Sequence, residues 1–372
     1  MIFFTTFFLN LSKKINPLKI KSFIQIVFLM FFFGALISVI DTNSYAGFYR
    51  GLKVLPNYLY WVLICILLIN IYKQIKLYSI ARYLFFGIMI SAIYFFLFPF
   101  LPKIPGFLNP ITKNSFSFLA ICFGAPSLMY ILKNKGRIYF YIFSAILLFV
   151  LLSNGRRAGF IIVLASIFFS VTLKEIKIKQ IIAVIFFLLV FKLILSISLT
   201  NNFIMKSSPR IHQLIYSNTS DLMTEDRSLL VRRLMVEKAL IIFESNPLTG
   251  IGLNSFSSHN VDFRGDFEGS QFVINKSNSN SKSAHNSYVS LLSEGGLLLL
   301  IPFLIIIIFN IYNFLKYYNH RAQIENSFYW SFIGMCVHLY FISAILNVYA
   351  WFLIGFVSAM SVNSKKMLLE DK

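Results

Sequence analysis

Apolar residues in this chain come in long unbroken runs, not at the period of an amphipathic helix or a half-buried strand. Ten stretches stand out, at about 20–40, 54–72, 83–101, 115–132, 138–152, 158–173, 180–199, 287–315, 328–346 and 348–362. A run of roughly 20 apolar residues is what a bilayer core demands of a helix. The pattern therefore predicts an all-α polytopic membrane protein with about ten transmembrane helices. The fifth, sixth and tenth stretches are short for a full span. The first is too long for a cleaved signal peptide and no small-residue cleavage site follows it, which predicts a retained span. One long polar stretch breaks the series. The chain thus divides into an N-terminal bundle of about seven spans (1–199), a large loop (200–286) and about three C-terminal spans (287–372).

Composition agrees with that reading. Hydrophobic residues make up 58% of the 372, charged residues 13%, and Phe alone supplies 43. No soluble fold hides that much apolar surface. The net charge of +20 would suit nucleic acid, so the placement of the cations decides. With the N-terminus in the cytoplasm, 18 Lys and Arg fall in cytoplasmic segments and six in short external loops. That asymmetry predicts both termini inside, and makes much of the basic excess a topological signal facing anionic lipid. No nucleic-acid partner is expected. Cys65, Cys122 and Cys336 sit inside apolar runs with no ligand spacing and read as packing residues.

The same count places 200–286 outside. It holds eight of the 14 acidic residues, and a long loop in an otherwise economical chain is usually functional. Thr224-Glu225-Asp226 reads as a helix start, the helix running to about Ser245 before Asn246-Pro247 stops it. Pro247-Leu-Thr-Gly250-Ile-Gly252 reads as a tight turn and 275–283 as a polar linker.

Three features on that side carry candidate chemistry. Ser153-Asn-Gly-Arg156-Arg157-Ala-Gly159 puts two arginines against the positive-inside bias. The guanidinium fork suits a diphosphate, and equally an interfacial lipid phosphate. On the loop helix, Arg233 shares a face with Glu237 and Glu244, while Arg232 points about 100° away. That makes Arg232 the cation for an anionic ligand, or else a solvated charge. The third is Ala284-His285-Asn286, where the loop re-enters the membrane. Continued as a helix, Val289, Leu292 and Gly296 line up below His285, leaving a gap for a lipid or sugar, with Glu294 on the opposite side. His285 reads as a general base or as a simple hydrogen-bonding residue. Asp262, Asp266 and Glu268 read as a solvated acidic loop, not a cation site.

Together these pieces resemble the O-antigen ligase / polysaccharide polymerase superfamily of bacterial membrane glycosyltransferases, over roughly residues 150–315. The resemblance rests on Ser153-x-x-Arg156-Arg157-x-Gly159, on the Arg-bearing loop helix leading into Asn246-Pro-Leu-Thr-Gly250-Ile-Gly252-Leu-Asn-Ser-Phe256, and on His285-Asn286, nine residues, Gly296. Leu299 stands where the family's next small or Tyr position falls, and Val236 where a loop-helix tryptophan is common. The resemblance implies a helical fold like that of the GT-C lipid-dependent glycosyltransferases, in the bacterial inner membrane. The donor it implies is an undecaprenyl-diphosphate-linked glycan; the acceptor is lipid A–core in a ligase or the growing glycan in a polymerase. It assigns His285 and Arg232 to catalysis, Arg156, Arg157 and Arg232 to the diphosphate, and Asn286, Gly296, Gly250 and Gly252 to support. No metal and no cofactor is expected, since arginines would carry the leaving-group charge.

A flippase or other transporter is the competing class, but it calls for polar groups deep in several spans, where this chain has essentially Lys192. A structural membrane component leaves the large loop unexplained. The charge count makes a direct prediction. Single cysteines at Ser217 and Asn278 react with an impermeant thiol reagent on intact cells, and one at Lys177 does not. Labelling at position 177 would overturn the arrangement.

Overall fold

The computed structural model describes residues 20, 22–42, 44–97, 113–153, 157–172, 227–263 and 283–370. Among them the chain forms ten α-helices and no strand. These are α1 (Phe23–Ile40), α2 (Tyr45–Ile71), α3 (Leu77–Leu97), α4 (Lys113–Asn134), α5 (Arg137–Ser153), α6 (Arg157–Thr172), α7 (Arg227–Ser245), α8 (Ser287–Tyr317), α9 (Gln323–Phe341) and α10 (Val348–Glu370). Five segments are long and apolar enough to cross a membrane: Phe23–Ile40, Tyr45–Gln74, Leu77–Tyr94, Phe116–Asn134 and Ser287–His320. Arg137–Leu151, Gly159–Val171 and Val348–Asn363 are shorter apolar helices. The predicted stretch 180–199 and its Lys192 lie outside the described residues.

Among the boundaries that differ from the hydropathy pattern, two have a local reason. The second helix starts at Tyr45 instead of about 54, because the Ser44 side chain accepts the Gly47 N–H at 3.0 Å and caps it. Arg50 and Lys53 are therefore helical residues, not loop residues. The ninth stretch ends at Phe341 instead of 346. Beyond it the backbone turns, and Ala344 N–H donates to Ser287 Oγ at 3.0 Å instead of continuing the helix.

The chain divides into two compact units, Met1–Ile75 with Asp226–Tyr318 and Leu339–Lys372, and Lys76–Glu225 with Asn319–His338. In the first unit α1 packs on α2 and α8, and α10 on α2 and α8. On α1 the residues Phe23, Ile26, Met30, Phe33, Ile37 and Ile40 are exposed, while Ile24, Val27, Phe28, Phe31, Ala35 and Ser38 are buried. Both stripes follow the helical repeat, so one apolar face meets protein and the other is left for lipid. The core is aromatic. Phe31 lies 5.2 Å from Trp351 and 5.9 Å from Phe303, ring centre to ring centre, joining α1, α10 and α8. Polar pairs lock the same helices: Gln25 to Asn70 at 3.1 Å, and Asn310 to Ser358 and Ser361 at 2.9 and 2.8 Å. Such groups inside apolar helices are satisfied by one another.

In the second unit α4 packs on α3, α5 and α6. The α9 helix lies on α6, with the Ser166 hydroxyl donating to Trp330 O at 3.3 Å and the Gln323 amide to Ser170 O at 3.2 Å.

Candidate active site

The site is built from α7, the turn that follows it, the start of α8 and the 341–347 connection. Leu234, Met235, Ala239 and Ile242 recur at three- and four-residue spacing, so one face of α7 is apolar and buries against Phe256 and Ala284. Lys238 lies on the same face and is fully buried, its ammonium 4.7 Å from the Phe256 ring centre. Burial favours the neutral amine and lowers its pKa to about 8. Burial, and then the nearby Lys238 charge, likewise push His259 down. The helix ends at Ser245 as the Asn246-Pro247 pair dictates. Its predicted cap, Thr224, lies outside the described residues.

The turn 246–252 then docks into a break in α8. Gly296 has φ 60 and ψ −157, a region open essentially to glycine alone. The kink removes the helical bonds that the Leu297 and Leu298 amides would make to the carbonyls of Ser293 and Glu294. All four groups find partners in the turn. Leu297 N–H donates to Pro247 O at 2.9 Å and Leu298 N–H to Leu248 O at 3.1 Å. Ile251 N–H donates to Ser293 O and Gly252 N–H to Glu294 O, both at 3.0 Å. The approach is close enough that a Cβ at Gly296 would meet the Leu248 carbonyl, and one at Gly250 would lie 2.5 Å from the Glu294 carbonyl carbon. Ser38 of α1 adds a hydroxyl bond to Glu294 O at 2.6 Å. The Glu294 side chain turns the other way and accepts the Phe256 N–H at 3.1 Å.

His285 does not continue α8. Its φ is 51, in the left-handed region, and the helix begins two residues later under an Asn286 cap. The Asn286 side chain accepts the amides of Tyr288 and Val289 at 2.9 and 3.2 Å. The Asn286 N–H donates to Ser343 Oγ at 3.2 Å and the Ser287 hydroxyl to Ile342 O at 2.6 Å. The corner carrying His285 is thereby pinned to the 341–344 backbone, and the imidazole is left exposed. From α7, the Arg232 guanidinium lies 5.9 Å from the Phe341 ring centre.

Within the first unit, Arg232 and Asn286 both meet the 341–344 segment, whereas Gly250, Gly252 and Gly296 meet at the break in α8. Arg156 and the side chains of Arg157 and Arg233 lie outside what is described, as do Asp266 and Glu268; Arg157 begins α6 in the second unit. The predicted gap under His285 is corrected. Gly296 is itself the kink, and its space is filled by the Leu248 backbone. Glu294 lines a cavity together with Ala284. Lys238, Asn254 and Glu294 were missed as site residues. The available signal was Glu294 itself, the one charged residue in the apolar run 287–315.

Residues 142–304 match a protein-family model described as O-antigen ligase. Every candidate site residue named above falls within that stretch. No curated protein matches the chain.

Two outcomes follow from this geometry. Gly296→Ala adds a strained backbone, about 1–3 kcal/mol, and a clash with Leu248, so the melting temperature of the detergent-solubilised protein falls. Gly87→Ala is the control, because nothing lies within 4 Å of a Cβ there. The second concerns Lys238, whose folded pKa of about 8 lies below its ordinary value of 10.5. Between those values the unfolded chain binds more protons, so stability from this group rises with pH through the window from about 8 to 10.5. Below it the buried charge is a constant cost. Melting curves of the wild type and Lys238→Met, compared from pH 7 to 10.5, should differ in slope only above pH 8. Parallel curves would refute the buried-amine reading.

Proposed function

Because residues 142–304 belong to the O-antigen ligase/polymerase superfamily, we propose that the chain moves an undecaprenyl-diphosphate-linked glycan onto an acceptor hydroxyl at the outer face of the bacterial inner membrane. Glycan transfer of the ligase or polymerase type is what the family match supports directly. The acceptor is lipid A–core or the growing glycan. The observation that supports the finer reading is that Arg232, through the Phe341 ring, and the His285-Asn286 corner, through Ser343 and Ile342, both contact the 341–344 segment.

In this reading the acceptor oxygen forms a bond to the anomeric carbon as its proton passes to the His285 imidazole. The bond from that carbon to the diphosphate oxygen breaks, and undecaprenyl diphosphate leaves with the electron pair. Arg232 takes up the charge that develops on the diphosphate. A guanidinium donates two parallel hydrogen bonds to such a group, and a site lined by apolar residues makes each worth more than in water. The Phe341 ring against Arg232 holds the cation without neutralising it. Asn286 fixes the backbone at the histidine through its cap, and the glycines hold the turn against α8.

The test is transfer in vitro from purified undecaprenyl-diphosphate glycan. His285→Asn keeps a residue that tolerates the left-handed backbone and removes the base, so transfer should fall about 10²–10⁴-fold with the protein still folded. Arg232→Ala should be similarly impaired, and Arg232→Lys only partly restored, because a point charge does not reproduce the fork. Near-normal transfer by His285→Asn would remove the catalytic histidine.

A further inference from the structure

Beside the His285 corner lies a cavity of about 400 Å³, within the size range of small-molecule sites. Its wall comes from three places that the α8 break brings together: α2 (Tyr58), the turn after α7 (Asn254, Phe256), and α8 (Ser290, Glu294), with Asn347 closing it from the connection before α10. Each side is held by bonds already described or by a cap. The Asn347 side chain accepts the amides of Tyr349 and Ala350 at 3.0 and 3.4 Å, and the Trp351 indole donates to Ile345 O. The Phe256 amide is fixed on the Glu294 carboxylate.

The chemistry of the lining is selective. Among the described residues that form it, Glu294 is the one charged side chain, and no lysine or arginine contributes. A diphosphate needs cationic forks, so this wall is wrong for it. A carboxyl, two amides and several hydroxyls between the aromatic rings of Tyr58 and Phe256 suit a neutral group rich in hydroxyls. The non-glycine residues with left-handed backbone among those described are Asn254 and His285. One lies in the wall and the other follows Ala284, which also lines it. Strained positions that the surroundings hold in place gather at working sites.

We infer that this cavity is a sugar subsite, taking one uncharged ring of the glycan beside His285 while the diphosphate is held elsewhere by arginines. The inference rests on the glycan-transfer reading for its choice of ligand. The bound ring belongs either to the lipid-linked donor or to the acceptor, and both offer the same chemistry.

Ser257 is exposed and lines the cavity, so Ser257→Cys in the full-length detergent-solubilised protein reports on its occupancy. The rate of maleimide labelling, above that of the parent protein, is measured with the native lipid-linked glycan, with the native acceptor, and with undecaprenyl diphosphate lacking sugar. One glycan-bearing substrate should slow labelling by about tenfold at ten times its Kd, and identify which ring is bound; the sugar-free lipid should leave the rate unchanged. Asn254→Gly keeps a residue at ease with positive φ while deleting the amide, and should raise KM for the protecting substrate about three- to tenfold. Equal protection by the sugar-free lipid would make this a diphosphate or lipid pocket and overturn the inference. So would the absence of protection in a protein that still transfers glycan. Protection by glycan without any transfer would sink the proposed reaction and leave the subsite standing.

Discussion

Four backbone hydrogen bonds across the break in α8 govern the rest of this protein. At Gly296 the helix gives up the bonds of Ser293 and Glu294, and the turn 247–252 replaces them strand-fashion. Each bond is worth about 1 kcal/mol net in water, but a buried amide left without a partner costs more, and in hydrocarbon several kcal/mol. The turn is thus the condition under which α8 can bend at all. On the helical segment before the bend, the Glu294 carboxyl accepts the Phe256 amide and lines the cavity with α2 and the 341–347 connection. Gly250 and Gly296 are required here because backbone meets backbone.

The charges near this corner are kept apart. Arg232 rests on an aromatic ring at the 341–344 side, whereas Glu294 faces inward among amides and hydroxyls. Lys238 lies under Phe256, covered by the small core of α7. A substrate that combines an anionic leaving group with neutral sugars presents the same division. Under the proposed function, positive charge near the diphosphate and hydrogen-bonding groups near the rings would separate orientation from leaving-group stabilisation.

Much of this was legible in the sequence, and the failures are instructive. Apolar runs gave the helices because length and hydropathy suffice for a span. Proline and asparagine at 246–247 gave the end of α7. Hydropathy overran at 342–346, since Ile342, Ala344, Ile345 and Leu346 look like span residues, yet their backbone is committed to Ser287 and Trp351. The phase below His285 failed for a different reason. It assumed an unbroken helix from 285 to 296, and nothing local announces that Gly296 will take positive φ when Gly295, beside it, stays helical. The partner that makes the difference, Leu248, is distant in sequence, and periodicity sees only neighbours. Glu294 is the converse case. A lone acid in an apolar run was visible, but its partner, the Phe256 amide, is distant in sequence.

The turn that completes α8 lies earlier in the chain than α8 itself. A ribosome therefore delivers Pro247–Gly252 before the helix whose bare carbonyls it must cover, and α1, which supplies the Ser38 hydroxyl, earlier still. When Gly296 emerges, its bonding partners already exist. Had the order been reversed, α8 would first form straight, and the turn would have to displace helical hydrogen bonds to dock. The order of segments along the chain thus suits stepwise assembly, in which each bonding partner precedes the backbone it satisfies.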